Sequence, residues 1–189
     1  MITGEKLPTV EATRVRLRHL AESDTDSLFE LFSDEEVTRY WSAPPFQKRA
    51  QAAELLAAIK EGFRQKSLFQ WGIAQKSGDK VIGTTTLFHL DEKNRRAEIG
   101  YALNRQFWGN GFVNEALSSL FDFAFTELNL HRIEADVDPQ NSASIRVLER
   151  LGFQKEGYLR ERWIIGGKMY DALFYGLLKN DWNNLKGEI

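Results

Sequence analysis

Gln106-Phe107-Trp108-Gly109-Asn110-Gly111 joins two stretches of different periodicity. Before it, Ala97, Ile99, Tyr101 and Leu103 alternate with Glu98, Gly100, Ala102 and Asn104, the period of a strand. After it, Phe112, Val113, Ala116, Leu117, Leu120, Phe121, Ala124 and Phe125 recur with the period of an amphipathic helix. Asn110-Gly111 taken alone is a common hairpin turn, but a hairpin needs alternation to resume, and residues 112–125 do not alternate. The junction therefore reads as strand to helix, its two glycines leaving backbone N–H groups open at the helix start. Free amides and the positive end of the helix dipole suit a pyrophosphate. Two other phosphate loops do not fit: a dinucleotide fingerprint needs a third glycine where Asn114 stands, and a P-loop needs Gly-Lys-Ser/Thr where Phe112 and Val113 follow Gly111.

Downstream, Arg132–Val137 alternates again, so strand, turn, helix and strand form a crossover unit. That makes Arg96–Leu103 and Arg132–Val137 parallel neighbours, with a ligand expected at their carboxyl ends. Asn141 is placed to cap a short helix carrying Ile145, Leu148 and Leu151, and Gly152 to end it. Tyr158–Ile165 and Met169–Leu177, joined at Gly166-Gly167, read as a hairpin followed by a polar tail. Upstream, Leu68–Ala74 and Val81–Phe88 form a meander with Arg96–Leu103, and the Asp91–Asn94 turn makes the second connection. Residues 1–12 read as a loose lead-in and Arg14–Arg18 as a first strand. Ser23 with Asp26 suggests a capping box for a helix burying Leu28, Leu31 and Phe32. Tyr40–Phe46 is a proline loop, and a second helix presents Ala52, Leu55, Leu56, Ile59 and Phe63. The expected class is α/β (α+β mixed sheet), one domain over residues 1–189.

With 25 basic and 27 acidic side chains the net charge is -2, which gives no reason to expect nucleic acid or an acidic membrane as partner. No apolar run reaches membrane-span length, and the first residues lack the apolar core of a signal peptide. The absence of cysteine excludes disulfides, thiolate metal sites and a cysteine nucleophile, and fits a cytoplasmic protein. His19, His89 and His131 have no ligand spacing, so no metal is expected.

The stretch Gln106-x-x-Gly109-x-Gly111 resembles the acyl-CoA pyrophosphate loop of the GNAT superfamily of N-acetyltransferases. Four further segments, Ala97–Tyr101, Leu130–Ala135, Asn141–Phe153 and Glu156–Arg160, are similar in order and spacing to its RimJ/RimL-like branch, which acetylates protein N-termini, and the resemblance implies a domain core of 12–183. The resemblance implies a mixed sheet whose two parallel central strands splay apart around acetyl-CoA. It places the backbone of Ile99, Gly100, Tyr101 and Leu103 along the pantetheine arm, and Gln106, Trp108, Gly109, Asn110, Gly111 and Phe112 around the pyrophosphate. Asn141 and Ser144 fall beside the coenzyme. The acceptor groove falls near Tyr40, Trp41, Phe46, Tyr158, Trp163 and Tyr170.

Amide formation needs a neutral amine. Protein α-amino groups have pKa near ~7.7–8.0 against ~10.4 for lysine, so an α-amine needs only modest help at neutral pH. Glu98 is the expected general base, against the alternative of an ion pair with Arg95, Arg96 or Arg132. Glu134 is the second choice, with a salt-bridge role favoured by its flanking charges. Ser144 is a candidate proton donor to the departing thiolate, with Tyr158 and water as alternatives. The expected reaction is direct transfer of acetyl from acetyl-CoA to a primary amine. The acceptor is a protein N-terminus, of ribosomal-protein type, or a small amine such as a polyamine, amino acid or antibiotic. A non-catalytic acyl-CoA-binding module and a nucleotide-binding enzyme are the competing readings, and a homodimer stays open.

Overall fold

The computed structural model describes residue 2 and residues 4–187. Eight strands form one sheet: β1 (Val10–Glu11), β2 (Val15–His19), β3 (Leu68–Gln75), β4 (Val81–Asp91), β5 (Arg96–Leu103), β6 (Arg132–Val137), β7 (Gln154–Ile165) and β8 (Lys168–Leu178). Their order is β1-β2-β3-β4-β5-β6-β8-β7, and every neighbouring pair is antiparallel except β5 with β6. That parallel pair follows from the crossover through α4 (Phe112–Thr126), as the change of periodicity predicts.

The parallel pairing is short. Arg96, Ala97 and Glu98 face Arg132, Ile133 and Glu134, and no pair is formed beyond them. β5 continues against β4 as far as Leu103, while β6 continues against β8 as far as Val137. Each strand stays with its own half of the twisted sheet, and the halves part after Glu98. The splay implied by the resemblance is present.

Helices cover both faces. On one, α4 buries Ala116, Leu117, Leu120, Phe121, Ala124 and Phe125 against Ile99, Leu103, Ile133 and Ala135. On the other, α1 (Thr25–Phe32) and α3 (Arg49–Arg64) pack Leu28, Leu31, Leu56 and Ile59 over Ala74, Val81 and Ala102. A single turn, α2 (Glu35–Thr38), leads into the 40–46 loop. The last helices are α5 (Ser142–Arg150) and α6 (Lys179–Gly187).

Several expectations are corrected. The lead-in is not wholly loose, because Val10 pairs with Leu17. The Ser23–Asp26 capping box is absent; a 3-10 turn at Glu22–Asp24 comes first, and Asp24 accepts from the Ala21 amide at 2.8 Å. Asp26 instead bonds Arg49. The polar tail is a helix, anchored where Trp182 is buried and donates to Asp122 at 2.9 Å.

Candidate active site

The splay opens into a cleft of about 940 Å³. One wall is β5 from Glu98 to Leu103, another is β6 from Ala135 to Val137 with Asp138 just after it, and the start of α5 closes one end. The far end is formed by α2, Tyr40, Trp41, Trp163 and Ile165. Glu98, Gly100 and Ala102 share the sheet face that α1 and α3 cover. A Cβ built on Gly100 would meet only the edge of Phe88, at 3.4 Å. The bare backbone there faces open cleft, not a helix packed on top.

At the donor end, β5 gives way to a 3-10 turn, Arg105–Phe107, capped by Asn104, whose side chain accepts from the Gln106 amide at 3.1 Å. Gly109 and Gly111 have φ of +75° and +78°, left-handed values that glycine adopts without strain. Gly111 is the N-cap of α4 and supplies no side-chain bond, so the first-turn amides of α4 stay available. Arg14 holds this loop from outside. Its guanidinium donates to the Asn110 carbonyl at 3.1 Å and to Glu115 at 2.7 Å, and stacks 4.5 Å from the Phe112 ring. Burial alone would raise the Glu115 carboxyl. The Arg14 and Val15 amides and the Arg14 guanidinium outweigh it and hold the group below the usual carboxylate range.

Phe107, Trp108, Gly109, Gly111 and Phe112 line the cleft, as do Ile99, Gly100, Tyr101 and Leu103. Gln106 and Asn110 do not: Gln106 lies in the 3-10 turn, and the Asn110 side chain donates back to the Phe107 and Trp108 carbonyls. Both shape the loop that leads into α4. Trp108 donates to the Leu103 carbonyl at 2.7 Å, which fixes its ring over the end of β5.

Asn141 caps α5 by accepting from the Ser144 amide at 3.1 Å. Both side chains line the cleft. Ser144 Oγ lies 2.7 Å from the Tyr101 hydroxyl, a contact the sequence reading did not include. Burial pushes the Tyr101 hydroxyl up to about 12, so it remains a proton donor throughout the neutral range. Tyr158, the alternative acid, is exposed, bonds Asp171 and does not line the cleft. Phe46 and Tyr170 also lie off it, so of the six aromatics expected at the acceptor groove Tyr40, Trp41 and Trp163 line the cleft.

Glu98 faces the cleft with only 11% of its side chain exposed. It pairs with none of Arg95, Arg96 or Arg132; its Oε2 lies 2.9 Å from His89 Nδ1. Burial, the largest influence, raises its carboxyl above the usual range; the His89 bond opposes this, Asp136 adds to it, and Arg162 opposes it. A buried carboxylate of raised basicity can take a proton from an amine. Glu134 cannot serve so readily, because Arg96 at 2.6 Å and Arg132 at 2.7 Å hold both its oxygens. His89 and Asp136 are the residues sequence reasoning missed. Counting back from the Asp91–Asn94 turn brings His89 near Glu98, and alternation from Glu134 puts Asp136 on the Glu98 face.

A family model described as an acetyltransferase (GNAT) domain matches residues 14–154. The chain belongs to the GNAT acetyltransferase family. It is 40% identical over 176 residues to the uncharacterized N-acetyltransferase p20 of Bacillus licheniformis, covering 93% of this chain and 99% of that protein. A GCN5-related N-acetyltransferase from Brucella melitensis superposes with a TM-score of 0.86 at 25% identity, over 95% of this chain and 82% of that one. Two further relatives carry acceptors in their names. A putative ribosomal N-acetyltransferase, YdaF of Bacillus subtilis, is 38% identical over 106 residues, 56% of this chain and 58% of that protein. A spermidine N(1)-acetyltransferase of Escherichia coli is 26% identical over 162 residues, 86% of this chain and 84% of that protein. Membership in the family makes the chain an acyl-CoA-dependent N-acetyltransferase with acetyl-CoA as donor. The uncapped, glycine-led start of α4 and the open strand β5 fit such a donor. Among the described residues no group of three or more His, Asp or Glu is arranged to hold a metal ion.

Proposed function

We propose that this GNAT enzyme acetylates the α-amine of a protein or peptide N-terminus. The carrying observation is the balance of charge at the acceptor end. Carboxylates reach the cleft there, but arginines accompany them: Arg162 donates to Asp136 at 3.0 Å, and Arg39 lies 3.4 Å from Glu36. A polycation would meet compensated charge. A peptide N-terminus needs one cation site and a broad rim, which Tyr40, Trp41 and Trp163 provide, each more than a third exposed. The relative named as a ribosomal N-acetyltransferase is compatible with this reading.

One observation favours the small-amine alternative. Asp136 Oδ1 is buried and has no hydrogen-bond partner, and an ammonium group would satisfy it. The relative named as a spermidine acetyltransferase fits that alternative.

In the proposed mechanism the backbone of Ile99, Gly100, Tyr101 and Leu103 lines the pantetheine arm. The Gly109–Phe112 amides receive the pyrophosphate, and Asn141 and Ser144 approach the thioester end. Glu98 takes the proton that the attacking amine loses, and the cleft walls hold the amine against the acyl carbon. Ser144, bonded to Tyr101, supplies a proton to the departing thiolate. Thiol release from acetyl-CoA with a panel of N-terminal peptides, lysine side-chain peptides and spermidine tests the acceptor. Peptides with free α-amines are expected to give the highest kcat/KM. A preference for spermidine, or for N-terminally blocked lysine peptides, would overturn the assignment.

A further inference from the structure

The sheet departs from regular pairing at the residue that touches Glu98. β4 and β5 pair in step from Gly83 with Leu103 to Phe88 with Glu98, and the next pair is Asp91 with Arg96. Two residues, His89 and Leu90, thus lie opposite the single residue Ala97, a β-bulge. His89 has φ +48°, a left-handed value uncommon outside glycine. A bulge re-aims side chains, and here it turns the imidazole toward its neighbour strand. The ring lies 4.8 Å from that of Phe88 and brings Nδ1 within 2.9 Å of Glu98 Oε2.

We propose that His89 is a positioning residue for the transfer reaction: it donates Nδ1–H to Glu98 Oε2 and fixes the carboxylate, with Oε1 left for the amine. This rests on the reading of Glu98 as base. Other charged groups face Glu98 from two strands. From β6, Glu134 stands at the paired position but is held by Arg96 and Arg132, and Asp136 follows it. From β7, Arg162 reaches in through its ion pair with Asp136. Burial and Asp136 disfavour the charged form, and His89 and Arg162 favour it. A base must be ionised before it can accept, so the His89 bond extends the active range toward lower pH. The imidazole itself is two-thirds exposed, and its replacement leaves the core untouched.

The test is the pH profile of kcat/KM for His89→Phe and His89→Asn beside the wild type. Phenylalanine keeps a ring and removes the donor; asparagine keeps an N–H near the Nδ1 position and tolerates left-handed φ. Two acceptors of different basicity identify which limb belongs to the amine, because that limb moves with the amine. The limb that stays is expected to move up by about one pH unit in His89→Phe. In His89→Asn it is expected to move by less than half as much, and in a Glu98→Gln background His89→Phe should move nothing. An unmoved limb in His89→Phe, with Glu98→Gln impaired, overturns the role of His89 alone. A wild-type profile for Glu98→Gln overturns the base, and this inference with it.

Discussion

Ser144 and Tyr101 put two hydroxyls 2.7 Å apart at the donor end of the cleft, on different elements 43 positions apart in the chain. Tyr101 stays protonated, so it either donates to Ser144 or accepts from it without becoming charged. If Ser144 supplies the proton to the thiolate, Ser144→Ala lowers kcat while leaving CoA affinity within about twofold. The expected loss is ~10²-fold, the low end of general-acid effects, read by steady-state kinetics beside calorimetric CoA titration. Equal loss of affinity would make Ser144 a binding residue instead. Asn141 was legible as a cap because a helix start announces itself locally, whereas its place and that of Ser144 beside the coenzyme came from the resemblance. Glu98 was legible from strand alternation, but its partner was not. Counting back from the Asp91–Asn94 turn brings His89 near Glu98, but the observed contact is made through a two-residue bulge, and no local pattern encodes a bulge. The Ser23–Asp26 box failed for a related reason. Asp24 finds better donors in the Ala21 amide and in Arg18, which bonds both its oxygens at 2.8 Å.

Among elements, the strand–turn–helix junction was the most readable, since its two periodicities sit side by side in the sequence. What the sequence did not show is how the loop is braced. Glu115, in the first turn of α4, accepts from the Arg14 and Val15 amides and from the Arg14 side chain, which in turn reaches the Asn110 carbonyl. The loop is thereby tied to β2. Glu115→Gln should weaken CoA binding about threefold to tenfold, since a half-exposed pair of this kind is worth only ~1 kcal/mol. Isothermal titration with CoA measures it, and unchanged affinity would remove the brace from the account. The sign of the pH effect follows from the depressed Glu115 carboxyl. Its stabilisation is present above the unfolded value and is lost as pH falls through the lower folded value. The difference in melting temperature between wild type and Glu115→Gln should therefore shrink on acidification through that window.

At the scale of the whole molecule, the cleft exists because two half-sheets share only three residue pairs. β4 carries β5 one way and β8 carries β6 the other, so backbone that would pair in a continuous sheet borders the cleft. The mixed sheet, the crossover and the parallel central strands were all readable from periodicity and order. The helix at the end of the chain was not, because Lys179–Gly187 carries only Trp182 and Leu185 as large apolar residues, too few to show a period. Its fold is dictated by what Trp182 meets on α4, a contact 60 positions distant.

In the proposed mechanism an amine loses its proton to Glu98 in the gap between those halves. The direct measurement is the acetyl-transfer rate of Glu98→Gln and wild type from pH 7 to pH 9.5. A loss of ~10²-fold or more is expected at pH 7. The loss should shrink at high pH, where more acceptor is already neutral. A Glu98→Gln profile that superimposes on the wild type at every pH would contradict it.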